Sequence, residues 1–497
     1  MTPDNAQNQR RMDAKFAGGL AWTAGVKWAT QLITWGCLAI VARLLTPADY
    51  GVGEIAGIFV GITNIMAEFG IGTAVLHMPD LNRRTLGQLH SFSLLLCTGI
   101  FGIALLSAPG VAWFFRSPHV AYFAVASVAF LITGIQAVPY GLLQRDMDYR
   151  RLALLEATGG TISGVVSVIC ALLGWGFWAI LAGHTAGKIV SAAVLMFWKH
   201  VPFKWPRWND IRQPVEMGRQ VAVSRVAAQA YGSADGIVIG RTLGAAVLGT
   251  YGRAMNFASA PAEKISTLIM RTVSPLFANV MDDLPLVRRY YLITVEMLSL
   301  AVLPLMTGLA FVAPQAVQLV LGPGWDGVVR PLQFLGFYMI MRVLGVLTEQ
   351  VLVSQRMTRF TMRIAMLNFL VMPLSFFLAA RWKGANGVAA AWFLLSPVTI
   401  APLVIVLLRR IKLPLREFAA SLVPAAAGSA VMCAALFALN TRLATWSNAT
   451  RLAIQVAVGG AVYLAFIAIF FRSRILRYVN FVQGLRKPKD TPNPVAS

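Results

Sequence analysis

Charged residues are scarce in this chain of 497 residues, and acidic residues are scarcer than basic ones. Only 13% of the residues are charged, whereas 57% are hydrophobic. Soluble domains carry about a quarter charged residues, so a set of ordinary soluble domains is excluded. The 43 basic and 20 acidic residues give a net charge of +23. Because the basic residues lie mostly in short segments between apolar runs, they indicate membrane topology, with anionic lipid contact as a second role, and not nucleic-acid binding.

Cysteine and histidine are also few, and neither forms a cluster. Cys37, Cys97, Cys170 and Cys433 all lie within apolar runs and make no C-x-x-C pair. They predict small buried side chains and argue for neither a disulfide nor a metal site. The five histidines lack metal-ligand spacing.

Apolar segments long enough to cross a bilayer recur along the whole chain, among them 216–241, 360–380 and 385–408. The polar start resembles the front of a signal peptide, but the apolar run behind it is too long for one, so we expect a retained first span. The sequence predicts an all-α polytopic membrane protein with about fourteen transmembrane helices, arranged as two parallel six-helix lobes and a C-terminal helix pair. The predicted segments are a cytoplasmic tail (1–17), an N-lobe (18–198), a cytoplasmic linker (199–215), a C-lobe (216–408), two additional spans (417–472) and a cytoplasmic tail (473–497).

The distribution of basic residues supports this count. If both termini are cytoplasmic, the predicted inner segments hold 27 Lys and Arg residues and the outer loops hold 8. Cytoplasmic loops of membrane proteins are enriched in Lys and Arg. One span more or fewer would reverse the bias downstream of the error. The sequence therefore predicts an even number of spans.

A pattern near the start of each predicted lobe occurs twice, with a shift of 198 positions. The matching pairs are Lys27 and Arg225, Gln31 and Gln229, Arg43 and Arg241, Leu45 and Leu243, and Gly51 and Gly249. A basic residue deep inside an apolar run costs about 2.5–3.5 kcal/mol on insertion scales. Its presence in both copies indicates an internal repeat.

A second match supports the repeat at a different shift. Gln144-Arg145 corresponds to Gln355-Arg356 after 211 positions, which implies an insertion of 13 residues that we place near 322–327. Six spans separate the two copies, and because six is even the copies share one orientation. This predicts parallel repeats about a pseudo-twofold axis along the membrane normal, with a central cavity between the lobes.

Four loop motifs carry a resemblance to a known family. The order of ARLLTPADYG, EFGIGTAVL, LLQRDMDYRRLA and GWGFWAILAG resembles the polysaccharide transporters of the multidrug/oligosaccharidyl-lipid/polysaccharide exporter superfamily. These are Wzx-like flippases, and the colanic acid exporter type is the most similar. The resemblance implies alternating-access movement of an undecaprenyl-diphosphate-linked oligosaccharide across the bacterial inner membrane. It implies a transporter and not an enzyme, with no cofactor and with polysaccharide polymerase or export machinery as possible partners.

Cations and amides inside the predicted spans are the candidate substrate contacts, because a diphosphate headgroup needs fixed cations in a wet cavity. These residues are Lys27, Gln31, Arg225, Gln229, Lys188 and Arg342. Each glutamine of the repeat follows its cation by four residues and so shares its helix face. The alternative role for each cation is an ion pair that serves packing.

Buried acids are the candidates for ion coupling, because a carboxylate inside the membrane can take up a proton at one face and release it at the other. The candidates are Asp235, Glu349, Glu68 and Glu296. An intramembrane ion pair with a nearby cation is equally consistent with the sequence.

Other functions stay open at this point. A multidrug or lipid II transporter would have the same fold. A membrane glycosyltransferase or polymerase would need a large extramembrane domain or a long outer loop, and neither is predicted. A passive scaffold in a synthesis complex gives no reason for matched buried cations.

Overall fold

The computed structural model describes residues 30–68, 71–78, 81–146, 148–443, 445–472 and 474. Within those ranges the chain is built from α-helices, with one short 3-10 helix and no β-strand. Two of the predicted site residues are affected: Lys27 and the side chain of Glu68 lie outside the described part. The chain divides into two compact units.

The first unit contains the residues up to Gly252 and the short segment Val320–Gly324. Its helices are α1 (Thr30–Leu44), α2 (Pro47–Glu68), α3 (Ile71–His77), α4 (Arg83–Phe115), α5 (Val120–Ala126), α6 (Val128–Arg145), α7 (Tyr149–Leu172), α8 (Trp178–Trp198), α9 (Trp208–Gly232) and α10 (Ala234–Leu243), followed by the start of α11 (Ala245–Asn279). Helix α6 lies at its centre, since it packs against α2, α3, α4, α7 and α8.

The second unit contains Arg253–Leu319 and the residues from Trp325 onward. Besides the rest of α11, its helices are α12 (Leu284–Val320), α13 (Val329–Ser354), α14 (Thr358–Arg410), α15 (Leu415–Arg442) and α16 (Asn448–Phe470). Helix α13 packs against α14, and α15 against α16. Met432, Leu436, Tyr463 and Ile467 form a buried apolar cluster between the last two helices.

Nine helices in the described ranges are long and apolar enough to cross a membrane. The longest, α14, has 53 residues and contains non-helical backbone at Lys383 and Gly384. A straight helix of this length would extend about 80 Å, far beyond a hydrocarbon core of about 30 Å. The interruption falls where the sequence predicts the connection between two spans. The number fourteen stays a prediction.

Two loop motifs of the first unit are joined by one carboxylate. Asp49 accepts hydrogen bonds from the backbone N–H and hydroxyl of Thr46 at the start of α2. Its other oxygen accepts from the backbone N–H of Phe177, 3.1 Å away, just before α8. Gly176 has a positive φ of 54°, and a Cβ there would lie 3.2 Å from the Asp49 carboxylate. The exit turn in ADYG and the turn in GWGF therefore form one structural feature.

The repeated glycines Gly51 and Gly249 meet each other in the first unit. A Cβ on Gly51 would overlap the carbonyl oxygen of Ala245, and a Cβ on Gly249 would overlap the carbonyl oxygen of Pro47. Pro47 and Ala245 are themselves related by the shift of 198. A Cβ on Gly249 would also lie 2.8 Å from the Gly51 nitrogen. The contact between α2 and the start of α11 is therefore reciprocal, and the parallel arrangement of two whole lobes stays a prediction.

The second copy of the repeated helix differs from the first by an interruption. The predicted span 216–241 is observed as α9 and α10, separated at Ser233. Helix α9 begins at Trp208, within the segment that the sequence assigns to the linker. In contrast, α1 is continuous over its described residues. The interruption places Asp235 in the first turn of α10.

Candidate functional site

Lys188 is an intramembrane cation that three helices of the first unit hold in place. Its Nζ lies 3.5 Å from Thr133 Oγ1, and the same hydroxyl lies 2.6 Å from Asn64 Oδ1. The backbone carbonyl of Lys188 accepts a hydrogen bond from Gln136 Nε2 at 3.1 Å. Helices α2, α6 and α8 thus meet through polar groups around one ammonium. Such groups are costly to place in hydrocarbon and therefore indicate function.

A cavity of about 340 Å³ lies beside this cation, between α6, α7 and α8. Polar side chains project into a lining that is otherwise apolar, and they are Gln136, Tyr140, Glu156, Ser163, His184, Lys188 and Ser191. The lining combines a cation, an acid and several hydrogen-bonding groups, so it suits a ligand with both charge and hydroxyl groups.

Small residues set the wall of this cavity by bringing α7 and α8 close together. Gly159 and Ser163 on α7 face Gly187 and Ser191 on α8, each pair spaced by four residues. A Cβ on Gly187 would lie 2.5 Å from the Gly159 carbonyl oxygen. Small residues at this spacing allow close backbone approach in membrane helices. The tight α7–α8 contact holds His184 and Lys188 on a fixed surface.

The repeated cation and amide are described in part. Arg225 is exposed on α9, and Gln229 follows one turn later. The Gln229 amide donates to Ser233 Oγ at 3.2 Å, and a Cβ on Gly61 of α2 would lie 3.3 Å from its Nε2. Gln31 is half-buried on α1. Lys27 lies outside the described residues, so the role of Lys27 and Arg225 as matching cavity cations stays a prediction.

Asp235 is buried and has defined partners. Its side chain accepts a hydrogen bond from the Tyr251 hydroxyl at 2.6 Å and another from the Gly236 backbone N–H at 2.7 Å. Asp235 is 5% exposed and Tyr251 is 2% exposed. The first turn of α10 also favours a negative charge through the helix dipole. The carboxylate is therefore well stabilised at the interruption between α9 and α10.

In the second unit, Arg342 on α13 forms an ion pair with Glu263 on α11. Arg342 Nη1 lies 3.1 Å from Glu263 Oε1, and both side chains are about half exposed. Glu349 is exposed and follows Arg342 by seven residues, which puts both on one face of α13. Arg342, which is paired with Glu263, and the Glu349 carboxylate therefore lie on the same face of α13.

Glu296 is buried on α12 and is paired with Arg474, which follows α16. The Arg474 guanidinium lies 3.0 Å from Glu296 Oε1. Of the predicted coupling residues, Glu296 and Asp235 thus lie in separate units, each with its own partner. The structure does not bring them together within one unit.

Sequence reasoning did not identify Thr133, Asn64, Gln136 and Tyr251 as partners of these charges. Each is a polar side chain within an apolar helix, and this contrast can be read from the sequence. The pairings join residues 16 to 69 positions apart, and no periodic pattern links them.

Comparisons with known proteins give the family and fold. A family model described as polysaccharide biosynthesis protein matches residues 40–330, more than half of the chain. The teichuronic acid biosynthesis protein TuaB of Bacillus subtilis is 25% identical over 476 residues, covering 93% of this chain and 98% of TuaB. The lipopolysaccharide biosynthesis protein WzxC of Escherichia coli is 21% identical over 401 residues, covering 75% and 78%.

Among solved structures, the lipid II flippase MurJ in an inward closed conformation has a TM-score of 0.73. The two chains are 14% identical, and the match covers 92% of this chain and all of MurJ. This likeness confirms the predicted all-α polytopic fold. The resemblance to polysaccharide transporters is confirmed as well, and the chain belongs to the polysaccharide biosynthesis protein family.

Proposed function

We propose that this protein is a flippase that moves undecaprenyl-diphosphate-linked oligosaccharide units across the bacterial inner membrane by alternating access. The names of TuaB and WzxC assign them to polysaccharide biosynthesis, and MurJ flips lipid II. A lipid-linked glycan is the substrate class that polysaccharide biosynthesis and lipid II flipping have in common.

The observation that supports the proposal most strongly is the position of Lys188 on the wall of the cavity between α6, α7 and α8. A diphosphate is doubly anionic and needs a fixed cation when it leaves water, since unpaired charge is costly inside the membrane. The Thr133 hydroxyl fixes the ammonium, and the cavity offers amide, hydroxyl and imidazole groups for sugar hydroxyls. Lys188, Arg225 and Gln229 all lie within the region that matches the family model. Arg342 lies beyond that region and serves in this proposal as a second cation.

The proposal is tested with the full-length protein in proteoliposomes and a fluorescent undecaprenyl-diphosphate oligosaccharide. A hydrogen bond to a charged group contributes about 1.5–3 kcal/mol, so we expect Lys188→Gln to slow flipping about 10-fold or more. Lys188→Arg should retain most of the rate because it keeps the charge. Lys383→Gln is the matched control, since Lys383 lies at the interruption in α14, outside the cavity. Lys27→Gln and Arg225→Gln test the repeated cations in the same assay.

Two results would count against the proposal. Wild-type flipping by Lys188→Gln would remove Lys188 from the substrate path. Transport of a cationic drug or of lipid II, without movement of the oligosaccharide lipid, would favour the multidrug or lipid II alternative.

A further inference from the structure

A larger cavity, of about 550 Å³, lies in the second unit and includes the Glu296–Arg474 ion pair described above. It is bounded by the N-terminal turns of α12 and α15 and by Arg474, which lies beyond the end of α16. Its lining residues are Pro285, Arg288, Arg289, Leu292, Ile293, Glu296, Glu417, Ala420, Ser421 and Arg474. Three arginines from two separate chain segments thus surround one space.

Two of these arginines are held by carboxylates. Arg288 Nη2 lies 2.5 Å from Glu417 Oε2, and Arg474 Nη1 lies 3.0 Å from Glu296 Oε1. Arg474 also donates to the carbonyl of Ala420. Both guanidinium groups are about one-third exposed, which leaves part of each fork open to the cavity. The ion pairs fix the arginines in position without covering them.

Arg289 differs from its neighbours. It is exposed on the cavity wall, and it has no carboxylate partner among the residues that the structure describes. The charge of the lining is therefore net positive, with three arginines against two glutamates. The rim adds to this excess, because Arg409, Arg410, Lys412 and Arg416 are all exposed next to the start of α15.

The rest of the lining is mostly apolar. Pro285, Leu292, Ile293 and Ala420 line the cavity together with the small hydroxyl side chain of Ser421. A cationic end beside apolar side chains matches a molecule with an anionic head and a hydrocarbon tail. The charge distribution also predicts that this end of the helices is cytoplasmic, where basic pockets between membrane helices bind anionic lipid headgroups.

We propose that the Arg288–Arg289–Arg474 cavity binds the phosphate of an anionic phospholipid. Arg289 supplies the open guanidinium fork, a geometry that matches phosphate oxygens, while Arg288 and Arg474 provide a fixed positive surface. The apolar side of the cavity, formed by Leu292, Ile293 and Ala420, contacts the start of the acyl chains. The site shares no lining residue with the Lys188 cavity and does not depend on the flippase proposal.

The test measures lipid binding to the purified full-length protein in detergent by native mass spectrometry. Phosphatidylglycerol is titrated against phosphatidylcholine, and inorganic phosphate is added as a competitor. One basic residue near an anionic lipid contributes about 1 kcal/mol, so we expect Arg289→Gln to weaken phosphatidylglycerol binding about fivefold. Arg363→Gln is the matched control, because Arg363 is also exposed near the predicted cytoplasmic end of its helix but lies outside the cavity.

A second variant separates binding from folding. Arg288→Gln removes an ion pair, so its melting temperature is measured alongside its lipid affinity, whereas Arg289→Gln removes no described pair and should melt as the wild type does. Equal binding of phosphatidylcholine, or unchanged phosphatidylglycerol binding in Arg289→Gln, would overturn the proposal. Displacement of the lipid by millimolar inorganic phosphate would overturn it too, because it would assign the site to a soluble anion.

Discussion

Intramembrane charges in this protein have specific partners from other parts of the chain. Lys188 contacts Thr133, Arg342 pairs with Glu263, and Asp235 accepts from Tyr251. Removing one partner of a buried charged group leaves the other uncompensated, which is strongly destabilising. We therefore expect changes at these residues to affect stability, and tests of a role in transport need variants that keep as many of the hydrogen bonds as the new side chain allows.

Asp235→Asn keeps one of the two hydrogen bonds of Asp235. The amide oxygen still accepts from the Tyr251 hydroxyl, whereas the amide NH2 cannot accept from the Gly236 N–H. The side chain no longer carries a charge or takes up a proton. If Asp235 carries the coupling ion, we expect this variant to bind substrate normally and to lose gradient-driven transport in proteoliposomes. Tyr251→Phe is the control: it removes the phenol donor, lowers stability by about 1–3 kcal/mol and keeps the coupling. Wild-type transport by Asp235→Asn under a proton or sodium gradient would exclude Asp235 as the coupling residue.

At this scale the sequence predicts which residues are unusual but not what they contact. Lys188 and Asp235 stand out as charges in apolar runs. Their partners Thr133 and Tyr251 do not, because a single hydroxyl is common in membrane helices. Glu296 illustrates the difference most clearly, since its partner Arg474 lies 178 positions away.

The contact between α2 and α11 depends on two glycines. Gly51 and Gly249 have no side chain, so each helix backbone approaches the other at the place where a Cβ would stand. No other residue fits without movement of a backbone carbonyl. The crossing is therefore a fixed feature of these two helices.

Gly249→Ala should shift the backbones apart. Overpacking of a close contact typically costs about 1–3 kcal/mol, and we expect a lower melting temperature in a thermal-shift assay in detergent. Gly57→Ala is the matched control on α2, because nothing lies within 4 Å of its absent Cβ, and alanine favours helix. A melting temperature for Gly249→Ala equal to that of Gly57→Ala would show that the crossing tolerates a methyl group.

The helices themselves follow from hydropathy, whereas their interruptions do not. An apolar window over 216–241 predicts one continuous span, but the chain separates α9 from α10 at Ser233. Ser233 and Asp235 are residue types that favour helix starts, so the local signal exists. This helix-start signal is weak compared with the hydropathy of the apolar residues around it, which predicts a continuous span. The turn at Gly384 was easier to predict because Lys383 and Gly384 lie between two apolar runs.

For the whole molecule, the excess of basic residues is the main predictor of orientation. The predicted inner segments include residues 199–207, and the predicted outer loops include residues 322–327.

Composition alone indicates a polytopic membrane protein, because 57% of the residues are hydrophobic. It does not indicate a substrate, and that information came from four short loop motifs and the family match.

Cysteine labelling tests this orientation. In a variant whose four native cysteines are replaced by alanine, Pro206→Cys should react with a membrane-impermeant maleimide only after the membrane is opened. Pro323→Cys should react in intact spheroplasts, because its loop is predicted to face outward. Labelling of Pro206→Cys from outside would reverse the predicted topology, and labelling of both positions from one side would show an error in the number of spans between them.

The reciprocal glycine contact also bears on the history of the chain. If the two copies arose by duplication of a gene whose product formed a homodimer, a single ancestral glycine lay at the dimer contact in both subunits. After fusion the copies were free to diverge, and their shift changes from 198 to 211 positions along the chain. Gly51 and Gly249 lie where each copy contacts the other, so a change in either alters the shared surface.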